Sequence, residues 1–546
     1  MSHCLSQHKC SEFAFLSSAA RETNKAAIGS VENPPLPRVA RLVDLHGFST
    51  SSPKLRLVHT DNLGESIPPY AALSYCWGKD VFYKTTHANL EQGGRELPHD
   101  DLPCTFRDAF AIAKRLGVDY IWIDSLCIIQ DSEADWNIES AKMPFIYSQA
   151  LFCIAADSSA SASGGCFNDS TSFDEFAEDP IVIRSSLSDG RESTLFVYQP
   201  AVGRFAPMTI ETAPVAQRGW TFQERILSPR ILHYTTEQVF WECRKGYIAQ
   251  DGTKTWAEDT GPSRSLSGLV NVKRQDPWSL IQDWYREVIM KFSRRRLTYT
   301  KDKLPAISGI ARAYYGGLQC PYIAGIWTYK LGFGLSWHRE DSAPMSSQVF
   351  RQNSFSWSSV DGPLGWSCQL MGDTGESEFP LRLISWDTPL VNEHDPFGET
   401  GPCSLTFMGL LKKSRLSYED CGASHLEWVV IGETEHGFVQ MGTVVVDSPV
   451  EEQDVLCLPI STSGSTHLLA LVLAQVPAQD ADEKPKYSRL GLLSISRSRK
   501  RVDGKIHRVC FRCNPRWGPS DEGWDQVTLE MSFWFGDCEM QEVVLV

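Results

Sequence analysis

Trp220 and Glu224 stand four residues apart in the block Arg218-Gly-Trp-Thr-Phe-Gln-Glu-Arg225. If this block is helical, the indole and the carboxyl share one face, with Gln223 and Arg225 beside it. A carboxylate against an aromatic wall is partly desolvated. That raises its proton affinity and suits it to acid/base work or to polarising a bound sugar hydroxyl. The same spacing also fits a surface pairing of Glu224 with Arg218 or Arg225, which would do no chemistry. Two further blocks place polar groups at the end of an apolar run. In Tyr120-Ile-Trp-Ile-Asp-Ser-Leu-Cys127, Asp124 directly follows a buried strand, where it can cap the next turn, bind a ligand hydroxyl, or do both. In Tyr70-Ala-Ala-Leu-Ser-Tyr-Cys-Trp-Gly78, Tyr75 and Trp77 form an aromatic strand end with a tight turn at Gly78. Such a shape either stacks a flat ring such as adenine or nicotinamide, or packs into the core.

Cys127, His233 and Asp124 supply nucleophile, base and orienter in residue type, as a thiol hydrolase requires. Cys127 lies between Leu126 and Ile128-Ile129, however, and that setting predicts a buried, inert thiol. His3, Cys4, His8 and Cys10 match no standard zinc-finger spacing. Cys510-Phe-Arg-Cys513 with His507 lacks a second ligand pair, so no metal site is expected. No GxGxxG follows a strand, and neither the P-loop pattern nor HExxH occurs, which removes direct support for dinucleotide, P-loop and zinc-protease sites.

The elements that must position these residues follow from the apolar pattern. Residues 71–76 are a short apolar run broken by Gly78, the first core strand. Thr105 precedes Asp108 in a capping-box-like arrangement, and Phe106, Phe110, Ala113 and Leu116 recur at helical spacing before Gly117. Residues 119–123 read as a strand covered on both faces and ended by Asp124. A second helix is expected from about 134 to 148, with Pro144 as a kink or boundary, and residues 151–156 give a third strand. Strand, helix, strand, helix, strand is the signature of a parallel sheet with right-handed crossovers. Residues 158–165, rich in Ser, Ala and Gly, read as a flexible loop.

The remaining chain divides by composition. Residues 1–38 end in Pro34-Pro-Leu-Pro37 and read as a disordered leader outside a domain spanning 39–250. Residues 251–345 read as a helical extension, with Trp284, Val288 and Phe292 on one face and residues 302–311 opening another helix. Residues 346–546 read as a β-rich C-terminal domain, from apolar stretches such as 405–411, 437–446 and 527–535 between turn residues. Two or three domains suit 546 residues and 61.2 kDa. A net charge of -15 argues against a nucleic-acid partner. The 16 cysteines come without a secretory leader or a stapled-scaffold spacing, so a reducing, cytoplasmic location is expected. The longest apolar run, 468–474, is too short for a membrane span and reads as a buried strand.

Taken together, Tyr70 to Gly78, the run Leu116 to Cys127 with Gln130-Asp131, Met143 with Ile146-Tyr147 and Ala150, and Arg218 to Glu224 resemble the heterokaryon-incompatibility (HET) domain of filamentous fungi. The resemblance covers about residues 68–225, and Leu297-Thr298, Asp302 to Ala311 and Ala324-Gly-Ile-Trp327 resemble what commonly follows that domain. The chain departs from the pattern at Ile129, where many members carry a polar residue, and at Cys76, a usually aliphatic position. The resemblance implies a part in non-self recognition that triggers programmed cell death when incompatible cells fuse. HET domains are in turn similar to Toll/interleukin-1 receptor (TIR) domains, a flavodoxin-like α/β fold, some of which cleave NAD with a single glutamate that a Trp precedes by four residues.

By that resemblance Glu224 is the catalytic candidate, holding the nicotinamide ribose and stabilising the developing oxocarbenium charge. Tyr75, Trp77, Gly78, Asp124 and Trp220 form the ligand-binding set, with NAD as substrate rather than resident cofactor. The expected fold is α/β, a flavodoxin/TIR-like mainly parallel sheet with flanking helices, followed by the helical region and the β-rich domain. The competing expectation is a noncatalytic interaction module that signals by self-association or through another incompatibility protein, with Glu224 a surface ion pair.

Overall fold

The computed structural model describes residues 37–49, 53–92, 96–167, 181–186, 192–197, 206–250, 252, 254–256, 276–340, 353–366, 381–420, 426–434, 437–463, 467–478, 484–496, 500–502, 505–507 and 538–546. Almost all of the leader, the His3 to Cys10 cluster, Cys510 with Cys513, and the stretch 527–535 lie outside the described residues. Two compact units emerge. One comprises Met1–Gln275, Arg295–Gly317 and His394–Gly398; the other comprises Asp276–Arg294, Leu318–Glu393 and Glu399–Val546. The chain thus passes between units inside the span 251–345 that the sequence reads as one helical extension.

The first unit is built on a nine-stranded sheet. Its strands are β1 (Arg41–Asp44), β2 (Arg56–His59), β3 (Ala71–Ser74), β4 (Tyr120–Trp122), β5 (Phe152–Ala155), β8 (Arg230–Tyr234), β9 (Val239–Cys243), β10 (Gly246–Ala249) and β11 (Lys254–Trp256). A separate hairpin joins β6 (Ile181–Ser186) and β7 (Glu192–Val197). The sheet order is β11-β10-β9-β8-β5-β3-β4-β1-β2. Only the centre is parallel: β3 lies between β4 and β5, and β5 pairs with β8. The expectation of a mainly parallel sheet is corrected here, because antiparallel strands flank both sides. The physical reason is loop length. The connections from β8 to β11 are too short for a crossover, and so they join neighbours antiparallel.

The three crossovers carry the helices. Between β3 and β4 run α1 (His87–Gln92) and α2 (Cys104–Arg115); between β4 and β5 run α3 (Asp124–Cys127) and α4 (Glu133–Gln149). Between β5 and β8 come the β6–β7 hairpin, α5 (Ala206–Thr212) and α6 (Thr221–Leu227). Helix α2 buries Phe106, Ala109, Phe110 and Ala113 against the sheet, and the left-handed Gly117 (φ 77) turns the chain out of it. Thr105 and Asp108 do not cap it. The N-cap is Pro103; Thr105 Oγ1 accepts the Gly165 N–H at 3.0 Å and Asp108 Oδ2 the Cys166 N–H at 2.8 Å, pinning the loop 158–165 instead. Helix α4 starts at Ser132, whose hydroxyl accepts the Asp135 N–H at 3.2 Å, and it runs through Pro144. The core strands β3 and β5 are buried at every position, as strands covered on both faces are.

The second unit holds a hairpin of β12 (Tyr322–Ile323) and β13 (Ile326–Trp327), and β14 (Trp337–Arg339) paired with β15 (Leu364–Trp366). Trp284, Val288 and Phe292 are buried together on its helical stretch, and the expected common face is present. Nine longer strands follow: β16 (Arg382–Asp387), β17 (Ser404–Leu410), β18 (Lys412–Asp420), β19 (Leu426–Thr434), β20 (Gly437–Val446), β21 (Gln453–Ser463), β22 (His467–Val476), β23 (Lys486–Ser496) and, past a hairpin of β24 (Lys500–Val502) and β25 (Lys505–His507), β26 (Met540–Leu545). Strands β23-β20-β19-β18-β21-β22 close on themselves because β22 also pairs with β23, and the result is a six-stranded antiparallel barrel. Closure removes the exposed edges that such long strands would otherwise present. Its core contains Leu416, Val430, Val444, Cys457, Val472 and Leu493. The apolar run 468–474 is strand β22, as read from the sequence. Among the described residues no helix is long and apolar enough to cross a membrane.

Candidate active site

The carboxyl ends of β3 and β4 lie side by side, and each delivers a residue of interest to the rim. Strand β3 ends at Ser74 and continues into Tyr75, Cys76, Trp77 and Gly78; β4 runs through Ile123 into Asp124, the first residue of α3. The Tyr75 hydroxyl donates to Asp124 Oδ1 at 2.8 Å, and the Trp77 indole N–H donates to Asp124 Oδ2 at 2.8 Å. Asp124 Oδ1 also accepts the Ser125 N–H at 2.6 Å. One carboxylate therefore locks the two aromatic residues of the first block to the end of the second. Of the two roles open to Asp124, the turn contact is present beside this bracing of the rim.

Tyr75 is 2 % exposed and packs edge-on against Phe106 at 5.1 Å. Its ring is packed into the core, and its hydroxyl is the part that reaches the rim. Trp77 is half-buried, with Lys84 Nζ over its ring at 4.2 Å. Gly78 adopts φ 73, and a Cβ there would come within 2.4 Å of the Ser161 Cβ. Only glycine lets the first block turn this tightly under the loop 158–165.

Glu224 enters from α6. The block 218–225 is helical only from Thr221, with Trp220 as the N-cap in helical dihedrals. Gln223, Glu224 and Arg225 are all buried, which corrects the surface-pairing expectation. Glu224 is 5 % exposed, and burial is the main reason its proton affinity rises to about 7. The Ser74 hydroxyl and the Arg218 guanidinium oppose that rise, the Asp124 charge adds to it, and the Tyr147 hydroxyl opposes it in turn. Arg218 is tied to the first block as well, since it donates to the Tyr75 carbonyl. Asp124, Tyr75 and Trp77 thus form one hydrogen-bonded cluster at the carboxyl edge of the parallel strands, and Glu224, beside Ser74, is linked to it through the charges of Asp124 and Arg218. Trp220 points elsewhere: its indole N–H donates to Asp302 Oδ2 at 3.0 Å and its ring meets Trp136 edge-on at 6.3 Å.

A second cluster lies beside the first and was not legible in the sequence. His233 on β8 holds Asp157 Oδ2 at 2.6 Å through Nδ1 and Glu242 Oε2 at 2.8 Å through Nε2. Arg225 donates to Glu242 at 3.1 Å, to Glu211 at 2.9 Å and to the Tyr247 hydroxyl at 3.1 Å. A cavity of about 20 Å³ is lined by residues of this network, Asp157, Arg225 and His233, together with Ser74, Cys153 and Arg295. Both imidazole nitrogens are committed, and Cys127 is fully buried with its thiol pushed by burial up to about 12. Those two facts remove the thiol-hydrolase arrangement of Cys127, His233 and Asp124. All ten described cysteines are free, and among the described residues no three His, Cys, Asp or Glu side chains group as metal ligands.

Residues 70–224 match the family model described as heterokaryon incompatibility protein (HET), and the match ends on Glu224. No curated protein and no solved structure matches the chain.

Proposed function

We propose that this chain, through the HET domain at residues 70–224, is an effector of fungal non-self recognition and programmed cell death, and that its output is TIR-like hydrolysis of NAD at Glu224. The observation that carries the catalytic half is the Glu224 carboxyl itself. It is held in a dry setting at the carboxyl edge of the parallel strands, with proton affinity near neutrality and Arg218 and Asp124 in its field. The parallel strands in spatial order β4-β3-β5-β8 support the flavodoxin/TIR-like reading, because that order runs second, first, third, fourth along the chain, with the reversal beside β3.

In the reaction, the bond between the nicotinamide nitrogen and the ribose anomeric carbon breaks with its electron pair going to nicotinamide. Water adds to the anomeric carbon, which yields nicotinamide, ADP-ribose and a proton. Glu224 in its ionised form holds the ribose and opposes the positive charge that develops on the ring. Asp124, braced by Tyr75 and Trp77, is the acceptor for a second sugar hydroxyl, and a ring that stacks on Trp77 displaces Lys84 from its face. A cytoplasmic location, where NAD is at hand, goes with this reading.

The noncatalytic reading, signalling by self-association, is favoured by one observation: the Glu224 carboxyl is closed off from bulk solvent. Purified full-length protein incubated with NAD decides between the two. Release of nicotinamide that disappears in Glu224→Gln, with cooperative unfolding retained, supports hydrolysis. A wild type that releases none even when clustered leaves the self-association module. In cells, that module predicts toxicity that Glu224→Ala does not change.

A further inference from the structure

The block that carries Glu224 is gripped along its length by a segment far away in the chain. Arg296 donates its N–H to the Gln217 carbonyl at 2.7 Å and accepts the Gly219 N–H at 2.8 Å, forming a short parallel bridge beside Arg218. Arg295 donates to the Arg218 carbonyl and to the Thr221 hydroxyl, both at 3.3 Å, and its guanidinium lies over the Phe222 ring at 4.6 Å. Asp302 accepts the Trp220 indole N–H at 3.0 Å. Gln223 donates to the Pro305 carbonyl at 3.4 Å and accepts the Gly309 N–H at 3.3 Å. A Cβ on Gly219 would come within 2.3 Å of Leu297, so the contact is also close in shape. Every residue from Gln217 to Gln223 is therefore held by residues 295–309.

The segment that does this belongs to the first unit, yet the chain on both sides of it belongs to the second: Asp276–Arg294 precedes it and Leu318–Glu393 follows it. The segment is therefore joined covalently at both ends to the barrel-bearing unit. Helix α6 is only seven residues long and cannot hold its own position by helix propensity. We propose that residues 295–309 are the element through which the second unit sets the position of Glu224, so that a change in the β-rich unit is delivered to the rim through this strap. The physical content is a local opening equilibrium: α6 is as stable as the strap that clamps it. The inference holds whether or not Glu224 is catalytic.

Amide hydrogen exchange on the full-length protein tests it. The peptide spanning 217–227 reports α6, residues 120–128 serve as a reference in the same unit, and barrel peptides report the second unit. Arg489 is fully buried in that unit, where it pairs with Asp447 at 2.7 Å and donates to the Leu335 carbonyl at 2.7 Å and to the Trp337 carbonyl at 2.5 Å. Arg489→Lys keeps the charge and loses the fork. It is expected to speed exchange in the barrel and, several-fold, at 217–227, while 120–128 stays unchanged. Asp302→Ala is expected to speed 217–227 alone. Faster barrel exchange with 217–227 at wild-type rates overturns the transmission, and an unchanged 217–227 in Asp302→Ala overturns the strap. If Arg489→Lys does not fold, Ile460→Val, a one-methylene loss at a buried barrel position, is read by the same outcomes.

Discussion

Two buried clusters occupy the carboxyl edge of the parallel strands, and they balance charge in different ways. Around His233, each charge meets a partner. The imidazole sits between Asp157 and Glu242, and Glu242 also takes Arg225 and the Tyr247 hydroxyl. Burial alone would strip the His233 proton, but the Asp157 charge, its hydrogen bond, and Glu242 more than reverse that, so the ring holds its proton more tightly than usual. Around Glu224, the compensation is incomplete. Arg218 spends a donor on the Tyr75 carbonyl, and the carboxyl keeps a proton affinity near 7. A closed network is a structural joint; a buried carboxyl left short of positive charge is poised to change state with whatever enters beside it.

The largest effect that sharpens this contrast should come from the closed cluster. Glu242→Ala leaves His233 and Arg225 buried without their shared carboxylate. It should destabilise the first unit by about 3–5 kcal/mol, measured by urea unfolding followed through exchange in β3 and β5. A loss below about 1 kcal/mol would mean that the network is no joint.

Glu224 should show the opposite character. Its folded proton affinity lies above the ordinary carboxyl value, so the folded state binds the extra proton. Its contribution to stability is full below about pH 4.5 and is lost as pH rises through about 7. Across that window the first unit should lose about 3 kcal/mol from this group, and Glu224→Gln should flatten the profile and be the more stable protein at pH 8. His233 shifts in the same direction, so its share also falls as pH rises and remains in the variant. Equal profiles in wild type and variant would end the idea of an uncompensated carboxyl.

The readable part of this design was local. Apolar runs ending in Asp124 and Gly78 announced β3 and β4 within a residue or two, and the 3.6-residue recurrence of Phe106, Phe110 and Ala113 announced α2. Thr105 and Asp108 misled because their side chains bond the loop at Gly165 and Cys166, a tertiary use that a capping pattern does not reveal. The convergence of Tyr75, Trp77 and Asp124 was legible because strands that share a sheet end at the same rim. The partners of Glu224 were only partly so: Ser74 adjoins a residue already of interest, while Tyr147 reads as one more apolar position of α4. Glu242 and Arg295 were out of reach, since antiparallel flanks and a returning strap depend on long-range pairing with no local period.

The smallest effects test whether the two carboxyls of the open cluster are one site. Tyr75→Phe removes one hydroxyl donor from Asp124 and leaves the Trp77 and Ser125 donors in place, so it should cost about 1–2 kcal/mol in urea unfolding of the first unit. Asp124→Asn keeps the shape and removes the charge. Because that charge raises the Glu224 proton affinity, the stability loss attributed to Glu224 should still begin near pH 4.5 but end at lower pH and be smaller in Asp124→Asn, while Tyr75→Phe should leave its position on the pH axis nearly unchanged. A Glu224 profile that stays in place when the neighbouring charge is gone would mean that Asp124 merely braces the aromatic strand end. The catalytic reading would then rest on Glu224 alone, with nothing beside it to receive a sugar.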